Sequence, residues 1–306
     1  MSIVVWGALA ANVAITIAKY IAASVTGSSA LLSEAIHSTA DSGNELLLVL
    51  GSKLSRKPAD RLHPFGRGQE VYFWGLIVAL VLFALGGGLS IYEGVQHMLH
   101  PHPIDNVLWN YAVLGCAFVF EGSSFLLAVR TMRRSARRSR KSFWSATHDS
   151  KNPEHFVVLF EDAAALLGIL VAAAGVFASQ ALGLPIIDGI ASVVIGAILT
   201  VAAFVLAYEC RSLLLGESAD PKKVQAIRAL ATSDTAVNRV GEVLTMYLGP
   251  EEILLNLEVD FRDNLSVAEI ERAVVRLEAL IREQHRDVHR IFIEPRSLTG
   301  RSRQRS

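Results

Sequence analysis

Cysteine is nearly absent from this 306-residue sequence, which holds only Cys116 and Cys210. The two stand far apart, in or beside apolar runs, which excludes a disulfide framework and any zinc-finger spacing. Net charge is missing as well. The 29 Lys and Arg balance the 29 Asp and Glu, so nothing points to an acidic or a basic partner. No basic leader with a small-residue cleavage site precedes the first apolar run, so that run is expected to stay as a span. There is no P-loop, no Ser-His-Asp order and no His-Glu-x-x-His helix. The "GGG" at 86 to 88 follows no strand, so it marks close helix packing or a flexible point rather than a phosphate cradle. No enzyme and no prosthetic group are expected. Eight positive residues run from Arg130 to Lys151, the first seven without an aromatic among them, and they adjoin an apolar run. They read as a topology signal touching anionic headgroups, not as a nucleic-acid surface.

What the chain does have is oil. It is 52% hydrophobic, and six segments match the ~20 apolar residues needed to cross a bilayer. They are Ile3–Val25, Ala30–Leu54, Val71–Val95, Val107–Val129, Phe156–Leu182 and Ile186–Tyr208. The connections after spans two and four carry many Lys and Arg. The connections "TGSS", "QHMLHPHPIDN" and "SQALGLP" carry none. Because positive residues stay inside, both termini and the C-terminal region are expected in the cytoplasm. The missing leader leans toward a bacterial inner membrane.

Beyond residue 216 the pattern changes. Charged and apolar positions alternate through helix, strand, strand, helix and strand, with a Gly-Pro turn at 249–250 and a capping-box start at Ser266 and Glu269. The expected architecture is a six-helix transmembrane domain over 1–212 and a small cytoplasmic α+β domain of ferredoxin-like (αββαβ) kind over 217–296. A basic tail, 297–306, is expected to be disordered.

The polar groups inside the spans carry the functional argument. His37 and Asp41, four residues apart, share one helix face; Glu45 continues it and Glu34 precedes it. Each ionisable group at membrane depth costs roughly 2.5 to 3.5 kcal/mol, so such groups face a cavity, a partner or an ion. Span five adds Glu161 and Asp162, about 100° apart around the helix. Two readings stay open: His37 and Asp41 pair only with each other, or they join the carboxylates of span five around a divalent cation. Imidazole with carboxylate suits zinc and its transition-metal neighbours better than sodium or magnesium. Glu45, nearer the cytoplasmic end, either meets water or joins a proton path. Glu93 and Glu121 are candidates for that path or for helix-to-helix hydrogen bonds. His97, His100 and His102 fall in the "HMLHPHP" stretch, read as a solvated outer loop that can meet released metal.

The stretches "SEAIHSTADSGNELLLVLG", "KPADRLHPFGRGQEVYFWG", "LSIYEGVQHMLHPHPI", "LFEDAAALLG" and "GLPIIDGIASVVIGAIL" together resemble the cation diffusion facilitator family of the zinc-transporter type. The resemblance runs over nearly the whole chain. It implies a homodimer that exports divalent cations, usually Zn2+, from the cytoplasm against protons, with a cytoplasmic domain that helps dimerise and sense metal. It places transport ligands at His37 and Asp41 on the second helix and at Asp162 on the fifth. Val158 stands where the family commonly has a histidine, leaving Glu161 after a local rotation, a water, or nothing as fourth ligand. A second family site falls on Asp60 and His63, with Arg67 where another histidine is common; salt bridging is the alternative there. The third falls on Asn256 and Glu294, with His285 and His289 nearby, and no tight binuclear cluster is expected. Alternatives to zinc export are a Co2+, Fe2+, Mn2+ or Ni2+ cargo, or a non-transporting metal-sensing subunit.

Overall fold

The computed structural model describes residues 3–104, 106–138 and 153–296; the expected tail at 297–306 lies outside them. The chain divides into two compact units. One holds the chain up to Leu54 together with Glu70–Arg211, and the other holds Ser55–Gln69 and the chain from Ser212 onward.

The first unit is helical. Its helices are α1 (Ile3–Thr26), α2 (Ser29–Ser55), α3 (Glu70–Leu99), α4 (Val107–Arg138), α5 (Pro153–Leu182) and α6 (Ile186–Leu214). Among the described residues, α3, α5, α6 and the Val107–Arg134 part of α4 are long and apolar enough to cross a membrane. The described apolar part of α1, Asn12–Thr26, is shorter. α2 falls short because Glu34, Asp41, Glu45 and its serines interrupt the apolar run. Apolar side chains face outward to a degree that water does not tolerate: Val119, Leu127, Phe177, Val201 and Phe204 are all more than 60% exposed.

Helices α3 and α6 approach closely through small residues. Residues Leu82–Leu89 of α3 widen into a π-helical segment containing the three glycines. A Cβ on Gly87 would collide with the Thr200 hydroxyl and crowd the α6 backbone, so close packing is what Gly87 serves. α3 also runs further than the expected span, to Leu99, which takes His97 out of the anticipated loop and buries it in the last helical turn at 4% exposure. The N-terminus of α2 is closed by Asp188, at the start of α6. That carboxylate accepts from Ser28 Oγ (2.8 Å), Ser29 N (2.6 Å), Ser29 Oγ (3.1 Å) and Ala30 N (3.3 Å). A negative charge at a helix start satisfies both the orphan amides and the dipole.

The second unit contains α7 (Pro221–Thr232), β1 (Val237–Gly249), β2 (Glu252–Phe261), α8 (Val267–Gln284) and β3 (Val288–Pro295). β2 lies between an antiparallel β1 (Val243 opposite Leu257) and a parallel β3 (Leu255 opposite Ile291). Helix α8 makes the crossover, which a parallel pair requires. Its Ala273, Leu277 and Ile281, at i, i+4 spacing, are buried along with Ile227 of α7 and Leu255, Leu257 and Val259 of β2. Ser266 and Glu269 form the reciprocal capping box at the start of α8, and Asp220 caps α7 ahead of Pro221. The 55–69 segment joins this unit: Arg290 lies over the Phe65 ring at 5.3 Å, and Gly68 abuts the backbone at Leu248 and Gly249.

Candidate metal-transport site

In the helical unit a cavity of about 230 Å³ opens between α1, α2, α4 and α5. Asp41 and Glu45 from α2, Glu121 from α4, and Glu161 and Asp162 from α5 all line it. The i, i+4 spacing puts Asp41 and Glu45 on one face. Glu161 and Asp162, although adjacent, both reach the same cavity, because Asn44 and Ser124 draw them in from different helices. Asn44 Nδ2 donates to Glu161 Oε1 at 2.6 Å, and Ser124 Oγ donates to Asp162 Oδ2 at 2.8 Å. Glu45 is held by α1, where Asn12 Nδ2 donates to its Oε1 at 2.6 Å.

His37 is fully buried and does not line the cavity. Its Nδ1 lies 3.3 Å from Asp41 Oδ1, an ion-pair separation without hydrogen-bond geometry. Neither ring nitrogen has a hydrogen-bond partner, nor does Asp41 Oδ1. Buried polar atoms left unsatisfied are costly, and a lone-pair donor beside a carboxylate oxygen is what a cation would repay. Among the described residues no three His, Cys, Asp or Glu side chains stand close enough together to hold one metal ion in this conformation. Val158 lines the cavity where the family resemblance would put an imidazole.

One buried group had no part in the sequence reading. Lys19 of α1 is completely buried and donates to Glu34 Oε2 at 3.2 Å and to Ser38 Oγ at 2.7 Å. Glu34 is buried as completely, and a Cβ on Gly168 of α5 would run into its other oxygen. A single lysine within an apolar run was the available signal, since an intramembrane cation needs a named partner. Glu93 lies elsewhere, in a separate cavity with His97, His100 and His102.

The Asp60–His63 pair belongs to the other unit and is exposed. Asp60 accepts from Arg67 Nη2 (2.9 Å), His63 N (2.7 Å) and Leu62 N (2.9 Å), and its Oδ1 lies 3.1 Å from His63 Nδ1. The Arg67 guanidinium, together with the backbone donors, holds this carboxyl well below its ordinary value. Arg67 thus occupies the place a cation would take. In the α/β unit Asn256 pairs opposite Phe292, and Glu294 is exposed opposite Glu258. His285 ends α8, and burial beside Lys223 pushes its imidazole below the usual range.

Comparison with known proteins decides the family. Residues 5–215 match the cation efflux transmembrane domain. The chain belongs to the cation diffusion facilitator (cation efflux) family. Members of that family are integral membrane transporters, not enzymes. The human protein named proton-coupled zinc antiporter SLC30A9, mitochondrial, is 37% identical over 243 residues, covering 79% of this chain and 43% of its own length. Metal tolerance protein C4 of Arabidopsis thaliana is 31% identical over 242 residues, 79% of this chain and 53% of its own. Magnetosome protein MamB of Magnetospirillum gryphiswaldense is 24% identical over 298 residues, 95% of this chain and 93% of its own. The chain spans about half the length of the first two.

Proposed function

We propose that this protein is a secondary transporter that exports divalent cations, zinc above all, from the cytoplasm in exchange for protons. The observation that carries the reading is the convergence of Asp41, Glu161 and Asp162, from two helices of an apolar unit, on one cavity. His37 stands directly behind Asp41 as the nitrogen donor. The relatives named as proton-coupled zinc antiporters support the coupling ion and the cargo.

The chemistry follows from competition. Metal binds ionised carboxylate and neutral imidazole, so protons and metal contend for the same lone pairs. Facing a near-neutral cytoplasm the site sheds protons and accepts metal; facing a more acidic exterior it takes protons and lets metal go. Rocking of the helices around a fixed site provides the two orientations and draws the ligands together. Carrying net charge outward against an inside-negative potential costs about 2.3 kcal/mol per charge per 100 mV, so returning protons offset part of that work. The Lys- and Arg-rich connections support cytoplasmic termini, and the family resemblance supports a homodimer joined in part through the α/β unit.

Purified protein in inverted vesicles with an imposed pH gradient tests this. Asp41→Ala and Asp162→Ala each abolish proton-driven zinc uptake while the protein stays monodisperse. Undiminished uptake in both variants overturns the assignment, and no uptake by the unaltered protein points to a non-transporting subunit. A second reading keeps transport and changes the cargo. With Val158 in place of an imidazole the cavity is rich in oxygen donors, which suit Mn2+ better than an all-nitrogen site would. Competition of Mn2+, Fe2+, Co2+ and Ni2+ against labelled zinc decides it.

A further inference from the structure

Two of the three connections without Lys or Arg meet around a second cavity, of about 420 Å³, separate from the carboxylate cavity. Gly27, Ser28 and Ser29 come from the α1–α2 turn. Glu93 and His97 come from the end of α3, and His100 and His102 from the segment beyond it.

One of these imidazoles has a fixed tautomer. A carbonyl oxygen can only accept, so the ring nitrogen it meets must carry the proton. His102 Nδ1 lies 3.0 Å from the His100 carbonyl oxygen. In the His102 ring Nδ1 therefore holds the hydrogen, and Nε2 is left with a free lone pair. This is how metal-binding histidines are commonly oriented: a backbone acceptor fixes the tautomer and ring angle, and the other nitrogen faces the ion. The two ring centroids are 4.4 Å apart. His97 is 4% exposed, and its Nε2 is a buried polar atom without a hydrogen-bond partner in a residue that lines the cavity. Glu93, one turn before His97 on the same face of α3, brings a carboxyl group to the same cavity. Asp188 is not available, since the start of α2 saturates it.

The geometry points to a second metal site, in which His97 and His102 bind a zinc-class divalent cation through their Nε2 atoms, water completing the shell. Two protein ligands make it a weak, open site, unlike a four-ligand structural zinc. At the face carrying no positive residues, such a site is an exit station for metal leaving the carboxylate cavity. That role rests on the export reading above; the binding itself does not.

The test counts Zn2+ bound to the full-length protein in detergent, by equilibrium dialysis. The chain carries Asp41→Ala and Asp162→Ala, which silence the inner cavity. Adding His97→Ala and His102→Ala to that background removes one zinc per chain. His102→Ala alone, on an exposed segment where folding is not at stake, weakens that zinc by about tenfold or more. His100→Ala, whose ring has no fixed tautomer, leaves it unchanged. Zinc binding that is the same with and without the His102 ring overturns the proposal, as does equal loss on replacing His100. Loss of proton-driven uptake by the unaltered protein would sink the export reading while leaving this zinc count untouched.

Discussion

Asp41, with a histidine four residues away, and Asp60, with one three residues away, make two similarly spaced pairs with opposite fates. Asp60 sits in water, and its oxygens are taken by Arg67, by two backbone amides and by the His63 ring. Asp41 sits among helices, with one oxygen and both nitrogens of His37 lacking a hydrogen-bond partner. The spacing is nearly the same, so the spacing does not make a metal site. What separates them is the neighbour: a permanent guanidinium at Asp60, and at Asp41 a cavity shared with further carboxylates.

The comparison breaks most visibly if Asp41→Ala or Asp162→Ala leaves zinc uptake intact, since then the unsatisfied cluster is as idle as the saturated one. Next in size is the Lys19–Glu34 pair that flanks the cluster. Lys19→Met strands a buried carboxylate and lowers stability by about 3 to 5 kcal/mol, read from thermal denaturation in detergent. Glu34→Gln in the same chain recovers most of it, because the stranded charge is gone. Val158→His adds an imidazole to the cavity wall and tightens zinc binding by about tenfold in calorimetry, if nitrogen donors are what the site lacks. The smallest effect belongs to the surface pair. Arg67→Ala lets the Asp60 carboxyl rise toward its ordinary 3.8, followed by NMR titration, and changes zinc uptake by less than about twofold. The sign of the pH dependence follows from the depressed value. The stabilisation from Arg67 is fully present above the ordinary carboxylate range and is lost only as pH falls through the depressed one. Across the neutral range the unaltered pair is therefore insensitive to pH.

Much of the fold was legible because its causes are local. The αββαβ order of the C-terminal unit could be read from alternation and from Ser266 and Glu269, whose capping box forms within one turn. The helical segments followed from apolar length. What the reading missed was set by other helices. His97 looked like a loop residue because prolines follow at 101 and 103, yet α3 continues to Leu99 and buries that ring, 4.4 Å from the ring of His102. Lys19 passed as one polar residue in an apolar run because its partner, Glu34, lies on the next helix. Glu161 seemed to point away from Asp162, and Asn44 brings it to the same cavity.

By itself the sequence determined which segments are helical, which connections carry positive charge, and that ionisable groups such as His37 and Asp41 interrupt apolar runs, because each depends on residues within one or two turns. Only the tertiary structure decided which of those groups find partners. A carboxylate's chemistry is set by the donors within about 3 Å of it. In this protein those donors come from different helices, or from across a turn, as with Arg67.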